Sequence, residues 1–200
     1  MPGVDTDAID TLLGIEPGSA LDVIRNRRRV AREQAEASYR ALFAPKIAGG
    51  VSTTERFAVA TFVTGLHGDA QTAAFYAASL AASGASAELR RAIDTAITAA
   101  KGQGPYGSYP AGPLSREDTT GPIHHVAAET RRALGSCLAA AFDHMHLLVF
   151  HPRDAAPAAL QALLDAGWST TDIVTLSQIA AFLSFQIRVV AGLRALAGAA

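Results

Sequence analysis

Few side chains in this 200-residue protein have the types and spacing that chemistry needs. Three of its six histidines, His144, His146 and His151, fall within FDHMHLLVFHP; His124-His125 lie upstream and His67 sits in a Leu66-His67-Gly68-Asp69 bend. Zinc held by one helix needs histidines one turn apart, at i and i+3 or i and i+4. His144 and His146 point to opposite sides of a helix, and His144 to His151 spans about 10 Å along its axis, so no local pair chelates. These imidazoles read as partly buried groups bonded to backbone or to a carboxylate, with a site assembled across elements left open. Arg188 lies inside FLSFQIRVVAGL, among apolar neighbours. Its guanidinium therefore needs a carboxylate or a wet cavity. Asp69, Asp143 and Asp154 are the partners on offer, for a structural ion pair or for a clamp on a substrate anion. Gln178, Ser184 and Gln186 add polar groups to the same segment, to line that cavity or an interface. The single cysteine, Cys137, lies in GSCLAAAF with no cation beside it, and reads as packed rather than reactive. Gly102-x-Gly104-x-x-Gly107 matches the dinucleotide fingerprint in form only. No strand precedes it, Pro105 interrupts it, and Pro110 and Pro113 forbid the helix that would receive the phosphates. No cofactor and no metal site are expected.

Helices must position these groups. Half the chain is hydrophobic but only 6% is aromatic, and alanine dominates, which favours close-packed helices over strands. Serine followed three residues later by an acid marks helix starts at Ser19/Asp22, Ser52/Glu55 and Ser169/Asp172. The expected helices are 19–43, 52–66, 70–82 capped by Asp69, 86–100, one or two over 123–151, 157–166 and 170–196. Residues 1–18 read as an acidic lead-in, and the Gly/Pro-rich 101–122 as a linker, long enough to fold over a site. In Arg25–Arg29 and beyond, Arg29–Glu33, Arg32–Glu36 and Glu36–Arg40 lie one turn apart. That charge reads as a solvated or subunit-facing surface, not a nucleic-acid site.

The stretch from Ser52 to Leu80 recurs 117 residues later, from Ser169 to Leu196. Ser52-Thr53-Thr54-Glu55 falls on Ser169-Thr170-Thr171-Asp172, and Val59, Val63 and Leu66 fall on Leu176, Ala180 and Leu183. The expected fold is thus all-α, in two related halves, 1–100 and 123–200, joined by 101–122. The last helix would then break near Phe185, as its counterpart does at Gly68.

A capping box, a helix, an Asn-Gly-like bend and a small-residue helix, in a chain with two helical halves, resemble the alkylhydroperoxidase D-like (carboxymuconolactone decarboxylase) superfamily over residues 30–82 and 135–196. In thiol-active members the second helix begins Cys-x-x-Cys-x-x-x-His, with a glutamate twelve residues before the first cysteine. Those positions here hold Asp69, Thr72, Tyr76 and Phe57. A carboxylate at Asp69 suits a helix start but cannot be oxidised and re-reduced, so a two-thiol peroxidase is excluded. The resemblance implies a small-molecule-binding or non-redox member of a peroxidase-related family. It also admits a thiol-free acid–base enzyme of the lactone decarboxylase kind, with His67, Asp69, Tyr76 and Arg188 as its groups, or a structural homo-oligomer.

A net charge of −1 supplies no field that draws nucleic acid or anionic membrane. The start, MPGVDTDAID, carries no basic segment leading an apolar run. The apolar stretch 173–196 is interrupted by Gln178, Gln186, Arg188 and Arg194, and reads as a buried helix rather than a membrane span. A cytoplasmic protein without disulfides is expected. Its broad alanine faces and the resemblance together lead us to expect a homodimer or larger symmetric assembly.

Overall fold

The computed structural model describes residues 7–47 and 49–198. The fold is all-helical: α1 Ala8–Leu13, α2 Ala20–Asn26, α3 Arg29–Phe43, α4 Thr53–His67, α5 Ala70–Ala82, α6 Ala87–Ala100, α7 Ala128–Leu134, α8 Ser136–Phe150, α9 Pro157–Asp165 and α10 Thr170–Gly198. Among the described residues the only strand-like feature is the isolated antiparallel pair Gly107–Thr119.

The centre is α4, which packs against α5, α6, α8 and α10. Every residue from Arg56 to Thr64 is buried, as expected of a helix apolar on all sides. Its interior hydroxyls need no outside partner, because Thr61 and Thr64 donate to the Phe57 and Ala60 carbonyls one turn back, both at 2.8 Å. Gly65 lets α6 approach closely: a Cβ there would lie 2.7 Å from Ile97. Phe62 stacks on Phe142 of α8 at 4.1 Å, which couples the two helices face to face. A second aromatic cluster, Phe43, Phe57, Tyr76 and Phe182, joins α3, α4, α5 and α10.

The starts of the helices follow local chemistry. Ser52 and Glu55 close a reciprocal capping box, and Ser169 with Asp172 makes the same bonds at α10. Beyond those shared starts the two segments differ. Gly68 takes φ 73° and ends α4, whereas α10 runs unbroken through Phe185. The expected break is absent because Phe185 and Gln186 stand where the first segment has Gly68 and Asp69. Neither supplies an easy left-handed residue or a preferred cap.

Other expectations also need correction. Part of the lead-in is a helix, α1, capped by Asp7; residues 1–6 lie outside the described set. The expected helix 19–43 divides at Arg27–Arg28, and Arg25 is buried rather than solvated. It pairs with Asp7 and Asp10, while Arg32 meets Asp10 and Asp22 instead of Glu36. Arg29–Glu33 and Arg40–Glu36 do pair. Residues 123–127 have no regular secondary structure, and helix begins only at Ala128. By length and composition α10 is the one described helix that could cross a bilayer alone, but here it buries Leu176, Ile179, Leu183 and Val190 against the rest of the chain.

Candidate functional site

The bend joins α4 and α5 to α10. Asp69 begins α5, accepting the Thr72 N–H at 2.8 Å. It also accepts from the Arg194 guanidinium, which bonds Gln71 Oε1 at 2.7 Å as well. Burial acts to raise the Asp69 carboxyl, but the hydrogen bonds from Arg194 and Thr72 outweigh it and hold the group down at about 2. His67 Nε2 lies 3.1 Å from Ser184 Oγ. Burial, and then the charge of Arg188, lower the His67 pKa, which keeps the ring neutral. Tyr76 is wholly buried and donates its hydroxyl to Gln186 Oε1 at 2.7 Å. Its pKa is pushed well above the usual value, chiefly by burial, so the group is a phenol and not a phenolate base.

Three of the four residues singled out in the sequence therefore meet α10, while Arg188 does not join them. Its side chain is exposed and donates to the Ser184 carbonyl of its own helix at 2.6 Å. The expected pairing of Arg188 with a buried carboxylate is corrected: Arg194 holds Asp69. Helical register is the reason, since Ala181, Phe185 and Arg188 share the outer face of α10 while Leu183, Gln186 and Val190 face inward. Gln178 is exposed as well, so it lines nothing at the bend. The remaining groups act as a polar buckle between α5 and α10. Tyr76 is walled in by Phe43 and Phe75, and each outward-reaching polar atom of His67, Asp69 and Tyr76 named above is engaged.

Open space lies elsewhere. A cavity of about 550 Å³, open to solvent on one side, is lined by residues 123–125, α7, α8 and α9. Five of the six histidines line it, with Arg131 and Asp143, and alanines from α8 and α9 form much of its apolar wall. His146 is buried beside His124 (ring centroids 5.2 Å apart) and Phe150 (4.9 Å). Burial first, and then any charge on His124 and His151, bring its pKa down to about 4, against the opposing effect of a backbone hydrogen bond at Ala100. Burial likewise lowers His124 and His144. His144 Nε2 lies 3.3 Å from Ser177 Oγ of α10. Four buried side-chain polar atoms among the described residues have no hydrogen-bond partner: His144 Nδ1 and His124 Nε2 on residues of this wall, and Thr72 Oγ1 and Gln186 Nε2 at the bend.

His151 ties the 101–122 segment to this wall. Its Nδ1 lies 2.9 Å from Asp154 Oδ2 and its Nε2 lies 2.9 Å from the Pro122 carbonyl. Asp154 also accepts the Ser108 N–H, and Arg153 rests 4.1 Å from the centroid of the Tyr109 ring. The segment read as a linker is thus packed onto the end of α8. Among the described residues no group of three or more His, Cys, Asp or Glu side chains is arranged to hold a metal ion. Cys137 is half-buried, and its thiol donates to the Ala166 carbonyl at 2.8 Å.

The neutral histidines make stability depend on pH. A pKa lowered in the fold means that the unfolded chain binds protons first. The stability His146 contributes is present above its ordinary value of 6.5 and is lost as pH falls toward about 4. Urea denaturation between these limits is expected to show a loss on the order of 2 kcal/mol from this residue. His146→Gln should flatten the slope; an unchanged slope would count against a neutral, buried His146.

The histidine cluster was visible in the sequence, but its enclosure was not. The cavity depends on residues 123–126 being non-helical, with the Val126 N–H held by Asp143 of α8, where a helix is expected from the sequence. The signal available was Gly121-Pro122 followed directly by Ile123-His124-His125-Val126. Ser177 and Arg194 carried no local mark of their roles. Compared with protein-family models, with curated proteins and with solved structures, the chain finds no match.

Proposed function

We propose that this protein is a small-molecule-binding, non-redox member of the alkylhydroperoxidase D-like type, and that its ligand occupies the histidine-lined cavity rather than the bend. The observation that carries the reading is a cavity of about 550 Å³ with an apolar wall and buried imidazole nitrogens lacking partners. Apolar concavity with a few convergent polar groups is what small-molecule sites share. The non-redox part is supported by Asp69 and Thr72 at the positions of the thiol pair, and by the lone thiol's bond to a carbonyl. A second reading, in which the bound molecule gives up a proton, rests on the same imidazoles, which burial holds in the neutral, proton-accepting form.

Ala162, exposed on α9 at the cavity, allows a direct test. A fluorinated fragment mixture screened by ¹⁹F relaxation is expected to give binders that Ala162→Trp removes while helical circular dichroism is unchanged. Binders indifferent to Ala162→Trp, with shifts at His67 and Tyr76 instead, would move the site to the bend.

We further propose a homo-oligomer. Ala70, Ala74, Ala77, Ala78 and Ala81 form an exposed small-residue face on α5, which supports close approach of another helix. Light scattering at micromolar concentration should give at least twice the 20.7 kDa chain mass; a monomer removes the idea.

A further inference from the structure

We infer that His151 is a proton-operated clasp on the 101–122 segment. With a proton on each ring nitrogen it fastens that segment to the end of α8. On losing one it lets go of Pro122 and loosens the cavity wall that Ile123, His124 and His125 form. The clasp works whatever the cavity binds. Two contacts define it. Nδ1 lies 2.9 Å from Asp154 Oδ2, and Nε2 lies 2.9 Å from the Pro122 carbonyl oxygen. Both partners are acceptors. A carbonyl has no proton to give, and the hydrogen bond from His151, with the Ser108 N–H behind it, lowers the Asp154 carboxyl and keeps it ionised. Neutral imidazole has one N–H, so neither of its tautomers serves both contacts, whereas imidazolium serves both. The side chain is 5% exposed, so water does not take over a contact that is lost.

The same two residues hold the segment at two places. Asp154 accepts the Ser108 N–H, and Gly107 sits so close that a Cβ there would lie 2.6 Å from Asp154 Oδ1. Gly107 in turn exchanges backbone hydrogen bonds with Thr119, and soon after it the Pro122 carbonyl meets His151. Directly beyond, Ile123, His124 and His125 line the cavity, and the Val126 N–H is bonded to Asp143. When one proton remains, the carboxylate holds it more strongly, so Nε2 turns a lone pair on the Pro122 carbonyl. The other titratable or charged groups around the ring are Tyr106 of the segment, with ring centroids 5.1 Å apart, His146 of α8 at 6.0 Å, and Arg153 beside Asp154. Arg153 stays charged, and burial keeps His146 neutral down to about 4. Arg131 and Asp143, farther along the wall, pair with each other. The tether is whole on the acid side and is lost as pH rises, the reverse of the contribution from His146.

Two measurements on the full chain test the clasp. ¹⁵N spectra of the His151 ring at about pH 5.5 and about pH 8.5 should show two protonated nitrogens, then one. Exchange of the Gly107 and Val126 amides with water, each divided by its rate in an unstructured chain, should rise about tenfold or more between the same limits, while Met145 inside α8 stays protected. The rise should persist in His125→Gln, which removes the other imidazole near Asp143, and be absent from His151→Gln. A bare ring nitrogen at the acid limit, equal amide protection at both limits, or a rise shared by Met145 would overturn the clasp. So would a rise that survives His151→Gln or disappears in His125→Gln. Should His151→Gln fail to fold, the wild-type spectra and exchange rates still decide.

Discussion

Phe142→Ala is expected to lower the unfolding free energy by about 3–5 kcal/mol. Phe142 is completely buried and lies parallel to Phe62 with only 5° between the ring planes. The contact sits where α4 meets α8, so truncation removes both the transferred apolar surface and one partner of the aromatic pair. Collapse into the gap is hindered from several sides. Helix α4 is already held by α5, α6 and α10, and α8 by α7, α9 and α10. Domains of this size are stable by about 5–15 kcal/mol, so the variant should sit near the edge of folding. Urea denaturation followed by circular dichroism measures the loss, with Phe142→Leu as a milder control. A loss below about 1 kcal/mol would mean that the interface repacks freely and that α4 is not the fixed centre described above.

Arg25→Ala is expected to cost about 3 kcal/mol, in the range for breaking a buried pair. The Arg25 side chain is 6% exposed and forks between Asp7 and Asp10, themselves 13% and 9% exposed. Without it two carboxylates stay in poor contact with water, and Arg32 compensates only in part through Asp10. Arg25→Lys should rescue little, because one ammonium cannot reproduce the forked geometry. The size of the loss is limited by a simpler escape: α1 can detach from α3, α5 and α10. Amide exchange at Ile9 and Leu12, both buried in that docking contact, distinguishes the two routes. Fast exchange there with a smaller global loss indicates detachment. Wild-type exchange together with unchanged urea stability would show that the network contributes nothing.

These two variants illustrate different relations between sequence and fold. The apolar run that makes α4 central is a property of consecutive residues, and its burial could be anticipated from them. The importance of Arg25 could not. In the sequence it begins a run of basic residues with acids one turn away, and Arg29–Glu33 and Glu36–Arg40 pair as that spacing predicts. Arg25 and Arg32 instead reach carboxylates 15 to 22 residues upstream or ten residues upstream, through a break between α2 and α3 that no proline or glycine marks.

What the sequence by itself determined was everything decided within about one helical turn. Ser52 bonds Glu55, Ser86 caps Leu89, Ser169 bonds Asp172, and Asp69 caps Thr72. Donor and acceptor in each case are three residues apart, so backbone geometry alone brings them together. The bend at Gly68 is likewise local, because that residue tolerates the left-handed conformation the turn requires. The tertiary structure alone decided which groups meet across helices. Arg194, not Arg188, reaches Asp69 because the rotation of α10 against α5 sets which face carries each guanidinium. His124, His144, His146 and His151 line one cavity because a non-helical segment, α8 and the turn after it converge there. Those outcomes depend on the relative placement of whole helices, which is fixed by packing all of them at once and is written in no single stretch of the chain.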